Sequence, residues 1–380
     1  MSRGARRILG AWASDVGASL LARAPVRRSA RPTRGSAIVV ELSRLGDAIQ
    51  AYAVAVHLRR SRRFDSVALA VDSAYAALFE GQGGIDRVVG VPRGGRRIRD
   101  LVALARSGGD AIVNVSPSIR NTLVVFASDA ATRVGYFDWT SPLTPFRDRL
   151  DVVLRGASGA AWRTVPPGTP LAMRAAAVLE LLDAPSIVAT ARLVPSPASV
   201  ARVRDELAAT AAQPSGGIAV LHPGATWRFR GWPTDRWIAL GRSLVASHAA
   251  RIVVLGNRAE TATVGAIRHG LGAPATAWVS RPLPEVAALL ASASVFVGGD
   301  SGPLHFACAV GTPAVGLFGP ASPVLTAPLG FEGIALDPGY PCSPCDQHRC
   351  VRPTEPCIHS HTVTSVARAA SQVWRSVSRG

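Results

Sequence analysis

Residues 291–320, ASASVFVGGDSGPLHFACAVGTPAVGLFGP, constrain the fold more than any other stretch of the chain. The apolar run Val295-Phe296-Val297 enters the turn Gly298-Gly299-Asp300-Ser301-Gly302. A helix follows with His305 in its first turn, and a second apolar run, residues 314–318, ends on Gly319-Pro320. Strand, glycine turn, helix and strand make one βαβ unit. Ser301 is placed to cap the helix, and Pro303 suits a first-turn position where no N–H is needed. The first N–H groups of a helix lack partners within it and lie at the positive end of its dipole, so the turn suits an anion such as a diphosphate. His305 belongs to the same end.

The same alternation runs through the whole chain. Residues 37–40 read as a buried strand, followed by the turn 42–47 and a helix over 48–60 with Ile49, Tyr52 and Val56 on one face. Strands are predicted at 67–71, 88–91, 111–115 and 132–135, and helices at 72–78 and 98–105. Residues 142–167 read as irregular, and a helix over 173–182 closes the first half. From 183 to 217 the composition shifts to Pro, Ser and Ala, with one helix expected at 200–209. The pattern then restarts with strand 218–221, helix 235–246, strand 251–255 and helix 284–290. The expected fold is therefore α/β, with two Rossmann-like domains whose parallel sheets leave a cleft at their carboxyl ends. The expected boundaries are a basic extension over 1–35, a first domain over 36–190, a linker over 191–215, a second domain over 216–362 and a C-terminal helix over 363–380. No GxGxxG fingerprint follows the first strand, which argues against a dinucleotide oxidoreductase.

A chain of 380 residues is long enough for two such cores, and no apolar run reaches membrane-spanning length. The formal charge is +17, carried entirely by arginine, since the chain has no lysine. A GC-rich codon preference accounts for such a bias, and so does attraction to an anionic membrane surface, a phosphorylated lipid or nucleic acid. The arginines are spread along the chain without aromatic interleaving, which speaks against nucleic acid. Five cysteines fit a reducing cytoplasm better than a disulfide framework. Residues 1–35 lack a signal-peptide pattern and read as a basic amphipathic helix on an anionic membrane, a disordered tail or sequence upstream of a misassigned start.

Four groups carry the candidate chemistry. Asp47 follows Gly46 where a strand gives way to a helix; it is either a charge favourable to the helix dipole or a general base that takes a proton from an attacking hydroxyl. The turn 222–233, HPGATWRFRGWP, offers small residues, the Thr226 hydroxyl and two arginines including Arg230, a set suited to a diphosphate. Asp300, Ser301, Gly302 and His305 form the third group, and Glu260, just past a strand end, could accept hydrogen bonds from a ribose. The fourth is Cys342-x2-Cys345-x4-Cys350-x6-Cys357 with His348, His359 and His361 nearby, which either shapes the C-terminal loop or supplies four ligands to a structural zinc ion.

Taken together, these stretches resemble family 9 of the glycosyltransferases, the ADP-heptose:lipopolysaccharide heptosyltransferases. The resemblance spans roughly residues 36–377 and rests on Gly46-Asp47, His222-Pro223-Gly224 through Arg230-Gly231-Trp232-Pro233, Gly256 through Glu260, and Asp300 through His305, Gly311-Thr312-Pro313 and Phe318-Gly319-Pro320. It implies a GT-B fold and an inverting transfer that needs no metal or other cofactor, from an ADP-heptose type of donor to lipopolysaccharide core or another lipid-linked cell-surface glycan. By the same resemblance Asp47 is the base, Thr226, Arg230, Ser301, Gly302 and His305 hold the donor diphosphate, Asp300 orients their loop, and Glu260 binds the nucleoside. The enzyme would then work in the cytoplasm, against the inner face of the cytoplasmic membrane. Two departures stand out: Arg230 replaces the usual lysine, keeping charge and adding bidentate geometry, and Ala53 replaces a usual proline in the acceptor-side helix. The competing expectations are a same-fold enzyme using another nucleotide-sugar, such as an epimerase, and a non-catalytic protein that binds anionic lipid or nucleic acid.

Overall fold

Short apolar runs that alternate with helices can bury their backbones only by pairing side by side in a parallel sheet covered on both faces. The structure, a computed structural model, describes residues 35–92, 99–100, 103–104, 106, 109–116, 118–126, 128, 130–138, 160–165, 169–184, 191–209, 216–225, 227–345 and 349–377. The expected N-terminal extension up to residue 34, Thr226, His348, residues 142–159 and half of the helix expected at 98–105 lie outside that set. The chain divides into two compact units, Met1–Ala191 and Arg192–Gly380.

In the first unit six described strands pair in the order β3-β2-β1-β4-β5-β6, with β1 at Gly35–Glu41, β2 at Phe64–Asp72, β3 at Arg87–Val91, β4 at Ala111–Asn114, β5 at Thr132–Asp138 and β6 at Ala160–Val165. Every pairing is parallel. β1 is central, with Ile38 level with Ala68 of β2 on one side and Ile112 of β4 on the other. Its residues from Ala37 to Glu41 are buried, as a strand covered on both faces requires. The helix Leu45–Arg60 covers it with Ile49, Tyr52 and Val56 and with the small residues Ala48, Ala51 and Ala55 between them. β6 corrects the expectation that 142–167 is irregular throughout: Ala160–Val165 pairs residue by residue with β5. An edge strand draws its order from the neighbour's backbone, which a local apolar pattern does not record.

The second unit repeats the plan. β7 at Ile218–His222, β8 at Arg251–Gly256, β9 at Ala275–Val279, β10 at Ala293–Gly299, β11 at Ala314–Leu317 and β12 at Ile334–Leu336 pair in the order β12-β11-β10-β7-β8-β9, again all parallel. Counted from its own first strand, each unit has the Rossmann order, with a switch point between its first and fourth strands. The C-terminal helix Val363–Val377 sets Val366, Ala369, Ala370, Val373 and Trp374 into this core at helical spacing. No described helix is long and apolar enough to cross a membrane.

The helix Pro197–Ala208 starts at Ser196, whose hydroxyl accepts from the Ser199 N–H, and it packs with the second unit. Glu285, 5 % exposed, takes Arg202 at 2.9 Å and Arg281 at 2.9 Å, and Arg281 also reaches Glu206. The Arg202 hydrogen bond, outweighing burial, and then Arg281 hold the Glu285 carboxyl below the usual range. An acid with a lowered folded pKa contributes stability above its unfolded pKa and loses it as pH falls through the folded value. Glu285→Ala is therefore expected to cost about 1–3 kcal/mol near pH 7. In urea unfolding the deficit should shrink on acidification, as pH falls below the ordinary carboxylate range and through the lowered value at which Glu285 takes up its proton in the wild type.

Candidate functional site

In the second unit β7 and β10 are neighbours, Gly298 standing level with His222, and the loops after both strands open at the same sheet edge. Gly298-Gly299 ends β10, and the 3₁₀ turn Arg228–Arg230 follows β7. Arg230 reaches across to the other loop: Nη1 donates to the Asp300 carbonyl at 2.8 Å and Nη2 pairs with Asp300 Oδ2 at 3.1 Å. Both side chains are largely buried, so one acid holds a guanidinium by its backbone and its carboxylate together. Gly224, Ala225, Arg230, Gly299, Asp300 and Ser301 line one pocket with Leu317, Gly319, Pro320, Ala321 and Ile358.

Ser301 departs from the expected cap. Its backbone is extended, and its hydroxyl donates to the Gly299 carbonyl at 3.1 Å instead of accepting from a helix N–H. The helix Gly302–Val310 begins with Pro303 in its first turn, and His305 is buried one residue beyond Leu304.

Glu260 stands beside this pocket. It forms a capping box with Asn257, accepting the Asn257 N–H at 2.8 Å, and its carboxylate lies 3.6 Å from His222 Nε2. Burial pushes the Glu260 pKa up, but the His222 contact and the Asn257 hydrogen bonds outweigh it and hold the carboxyl below the usual range. A Cβ on Gly224 would fall 2.0 Å from Glu260 Oε1, so the glycine is what lets the carboxylate sit there. His361, noted in the sequence only as a neighbour of the cysteines, anchors the opposite wall. Its Nε2 donates to the Phe318 carbonyl at 2.6 Å, and its own carbonyl accepts the Trp232 indole N–H at 2.9 Å. Burial lowers the His361 pKa, partly offset by the Phe318 bond.

Cys342, Cys345, Cys350 and Cys357 line a second pocket with Phe229, Pro320 and Arg349. They are free thiols, and burial pushes Cys357 up to about 11. Among the described residues no group of three or more His, Cys, Asp or Glu side chains is arranged to hold a metal ion.

The first unit presents a different cluster at its own switch point. Asp47 lies in the first turn of the helix Leu45–Arg60, and Ser43 Oγ is 3.2 Å from Asp47 Oδ2. Behind them the carboxylate of Glu41, at the end of β1, is completely buried. It accepts the Ser43 N–H at 2.7 Å and Asn121 Nδ2 at 3.0 Å, and it is in short contact with Ser43 Oγ. Burial first, then the Asp47 charge, pushes Glu41 up to about 7 against the hydrogen bonds from Ser116 and Ser43. In the sequence the only signal at Glu41 is an acid closing the apolar run 37–40.

Residues 179–354 match the model of Glycosyltransferase family 9 (heptosyltransferase). Lipopolysaccharide heptosyltransferase 1 of Pseudomonas aeruginosa is 31% identical over 145 residues, 38% of this chain and 41% of the relative. The matched region thus spans less than half the length of that curated relative. Among solved structures, a family 9 glycosyl transferase from Veillonella parvula covers 92% of this chain and 100% of its own, with a TM-score of 0.76 and 17% identity. The E. coli heptosyltransferase WaaC with ADP covers 89% of this chain and 99% of its own, with a TM-score of 0.65 and 16% identity. These likenesses establish the fold, two parallel-sheet α/β domains of the GT-B class.

Gly224→Ala is expected to turn the Glu260 carboxylate out of its capping box at a cost of about 1 kcal/mol in thermal unfolding. In the background of Glu260→Ala the same substitution should cost much less, because no carboxylate remains to be displaced. A double-mutant cycle reads this directly, and strict additivity would contradict the packing described.

Proposed function

We propose, from the premise that residues 179–354 belong to glycosyltransferase family 9, that the protein is an inverting glycosyltransferase. It moves heptose or a related sugar from an ADP-activated donor to lipopolysaccharide core or another lipid-linked cell-surface glycan. The observation that carries the reading is the Arg230–Asp300 fork in a glycine-lined pocket at the switch point of the second unit. Such a pocket suits a diphosphate because it combines a positioned cation, close backbone approach and a helix N-terminus. The ADP in the E. coli WaaC structure supports adenine as the donor base.

In this reading Arg230, Ser301, Gly302, His305 and Thr226 hold the diphosphate, Asp300 fixes Arg230, and Glu260 receives the nucleoside. The first unit takes the acceptor, and Asp47 is its general base. The acceptor oxygen attacks the anomeric carbon as its proton passes to the Asp47 carboxylate. The bond from that carbon to the diphosphate oxygen breaks, and its electron pair leaves with ADP. Charge grows on the diphosphate as the bond breaks, so fixed donors there stabilise the transition state more than the bound donor. No metal ion is needed for this balance. Work at the inner face of the cytoplasmic membrane follows from an amphiphilic, anionic acceptor and a net charge of +17.

Asp47→Asn is expected to lower transfer by about 10²–10⁴-fold with ADP affinity unchanged, and Arg230→Ala to weaken ADP binding by about tenfold or more. Release of ADP from ADP-heptose in the presence of heptose-deficient lipopolysaccharide, with calorimetry for ADP, separates the two effects. Wild-type turnover by a folded Asp47→Asn protein would refute the base. In a thermal-shift panel of ADP-, GDP- and UDP-sugars, the ADP-sugars should stabilise most; a larger shift with GDP or UDP would replace the donor.

A further inference from the structure

Glu41 has no part in the chemistry above, yet its surroundings are unlike those of the buried Glu285, which is held by two arginines. Among the described residues no cation pairs with Glu41. Around it, the helix Leu45–Arg60 contributes the Asp47 carboxylate, and the helix Ile119–Phe126 contributes Asn121, whose Nδ2 bonds both Glu41 Oε2 and Ser116 Oγ at 3.0 Å. Arg120 of the same helix is directed to the Leu42 carbonyl, at 3.0 Å. The other groups facing Glu41 are the Ser116 hydroxyl and the Ser43 N–H and hydroxyl.

The Ser43 hydroxyl lies between the two carboxyl groups, touching Glu41 Oε1 and standing 3.2 Å from Asp47 Oδ2. A hydroxyl has one hydrogen to donate. With both acids ionised it can serve only one, and its lone pairs then face the other. With one proton on Glu41, both contacts become hydrogen bonds: Glu41 O–H donates to Ser43 Oγ, and Ser43 O–H donates to Asp47 Oδ2. When Glu41 loses that proton, the hydroxyl turns back to Glu41, and Asp47 loses a donor and gains a like charge. Both changes make Asp47 the stronger base.

We propose that Glu41, acting through the Ser43 hydroxyl, is a positioning residue that sets the basicity of Asp47. This rests on Asp47 being the base of the transfer reaction. Glu41 touches neither donor nor acceptor, and the proton from the acceptor still ends on Asp47. The transfer rate therefore rises as Glu41 ionises, through the neutral range in which burial has placed it. A like charge one bridging hydroxyl away shifts a carboxyl by about one to two pKa units, and a base used at about half its Brønsted sensitivity converts that to roughly three- to tenfold in rate.

The test reads Asp47 directly. Carbon-13 NMR of the labelled carboxyl groups should show a second inflection in the Asp47 titration near pH 7 in the wild type. That inflection should vanish in Glu41→Gln and weaken in Ser43→Ala, and Glu41→Asp should restore part of it. In parallel, the ratio of wild-type to Glu41→Gln kcat/KM should grow from near one below about pH 6 to about three- to tenfold above about pH 8. An Asp47 titration identical in wild type and Glu41→Gln would overturn the proposal. Should Glu41→Gln fail to fold, an Asp47 titration unchanged in Ser43→Ala would overturn it equally. An Asp47→Asn enzyme of wild-type activity would instead refute the base itself, with the NMR coupling left standing.

Discussion

A strand buried on both faces can present chemistry only at its ends. That constraint governs both units. Val39, Val40, Val220, Leu221, Val295 and Val297 are inaccessible to solvent, so β1, β7 and β10 can next offer polar groups only at their carboxyl ends. There Glu41, His222 and the Gly298-Gly299 turn appear, each at the point where the strand order reverses. The reversal matters because connections leave in opposite directions from two adjacent strands, so their loops diverge and leave room between them. In the second unit this brings Arg230 from one loop onto Asp300 of the other, although 70 residues separate them.

The buried acids show how differently such room can be used. Asp300 and Glu285 are held by guanidinium groups, and Glu260 by the Asn257 backbone amide and an imidazole. Each arrangement favours the charged form. Among the described residues Glu41 has only neutral donors and a carboxylate for company, and its charged form is disfavoured by burial and by repulsion alike. Carrying a buried acid without a cation costs stability at high pH, since an acid with a raised folded pKa loses stability as pH rises through that value. A neutral isostere would avoid this cost, so the position makes most sense where its titration has a use.

Much of this architecture was legible in the sequence because central parallel strands are continuous apolar runs. β1, β2, β4, β7, β8, β10 and β11 each announce themselves in this way, and glycine turns mark where the chain reverses. The edge strands β6, β9 and β12 were not foreseen, for their order comes from a neighbour's backbone rather than from their own side chains. The pairing of Arg230 with Asp300 could be read only as two separate motifs, since nothing local links residues so far apart. The rotamer of Ser301 escaped for another reason: a serine before a helix can either cap it or turn back to the preceding strand, and only the strand's exit angle decides. Glu41 read as the tail of a strand; its character depends on Asn121 and Asp47, which the fold brings to it.

The C-terminal segment ties these local choices together. The Trp232 indole and the Arg236 guanidinium both donate to the His361 carbonyl, and Arg236 also meets the His359 carbonyl. The His361 ring closes the loop onto Phe318. The turn Cys357–Ser360 is thereby clamped against Gly319, where even a Cβ would approach Cys357 Sγ to 3.1 Å. Pro320, next in the chain, lines both the Arg230 pocket and the cysteine-lined pocket. The two pockets therefore share a wall whose backbone is held from the far end of the chain.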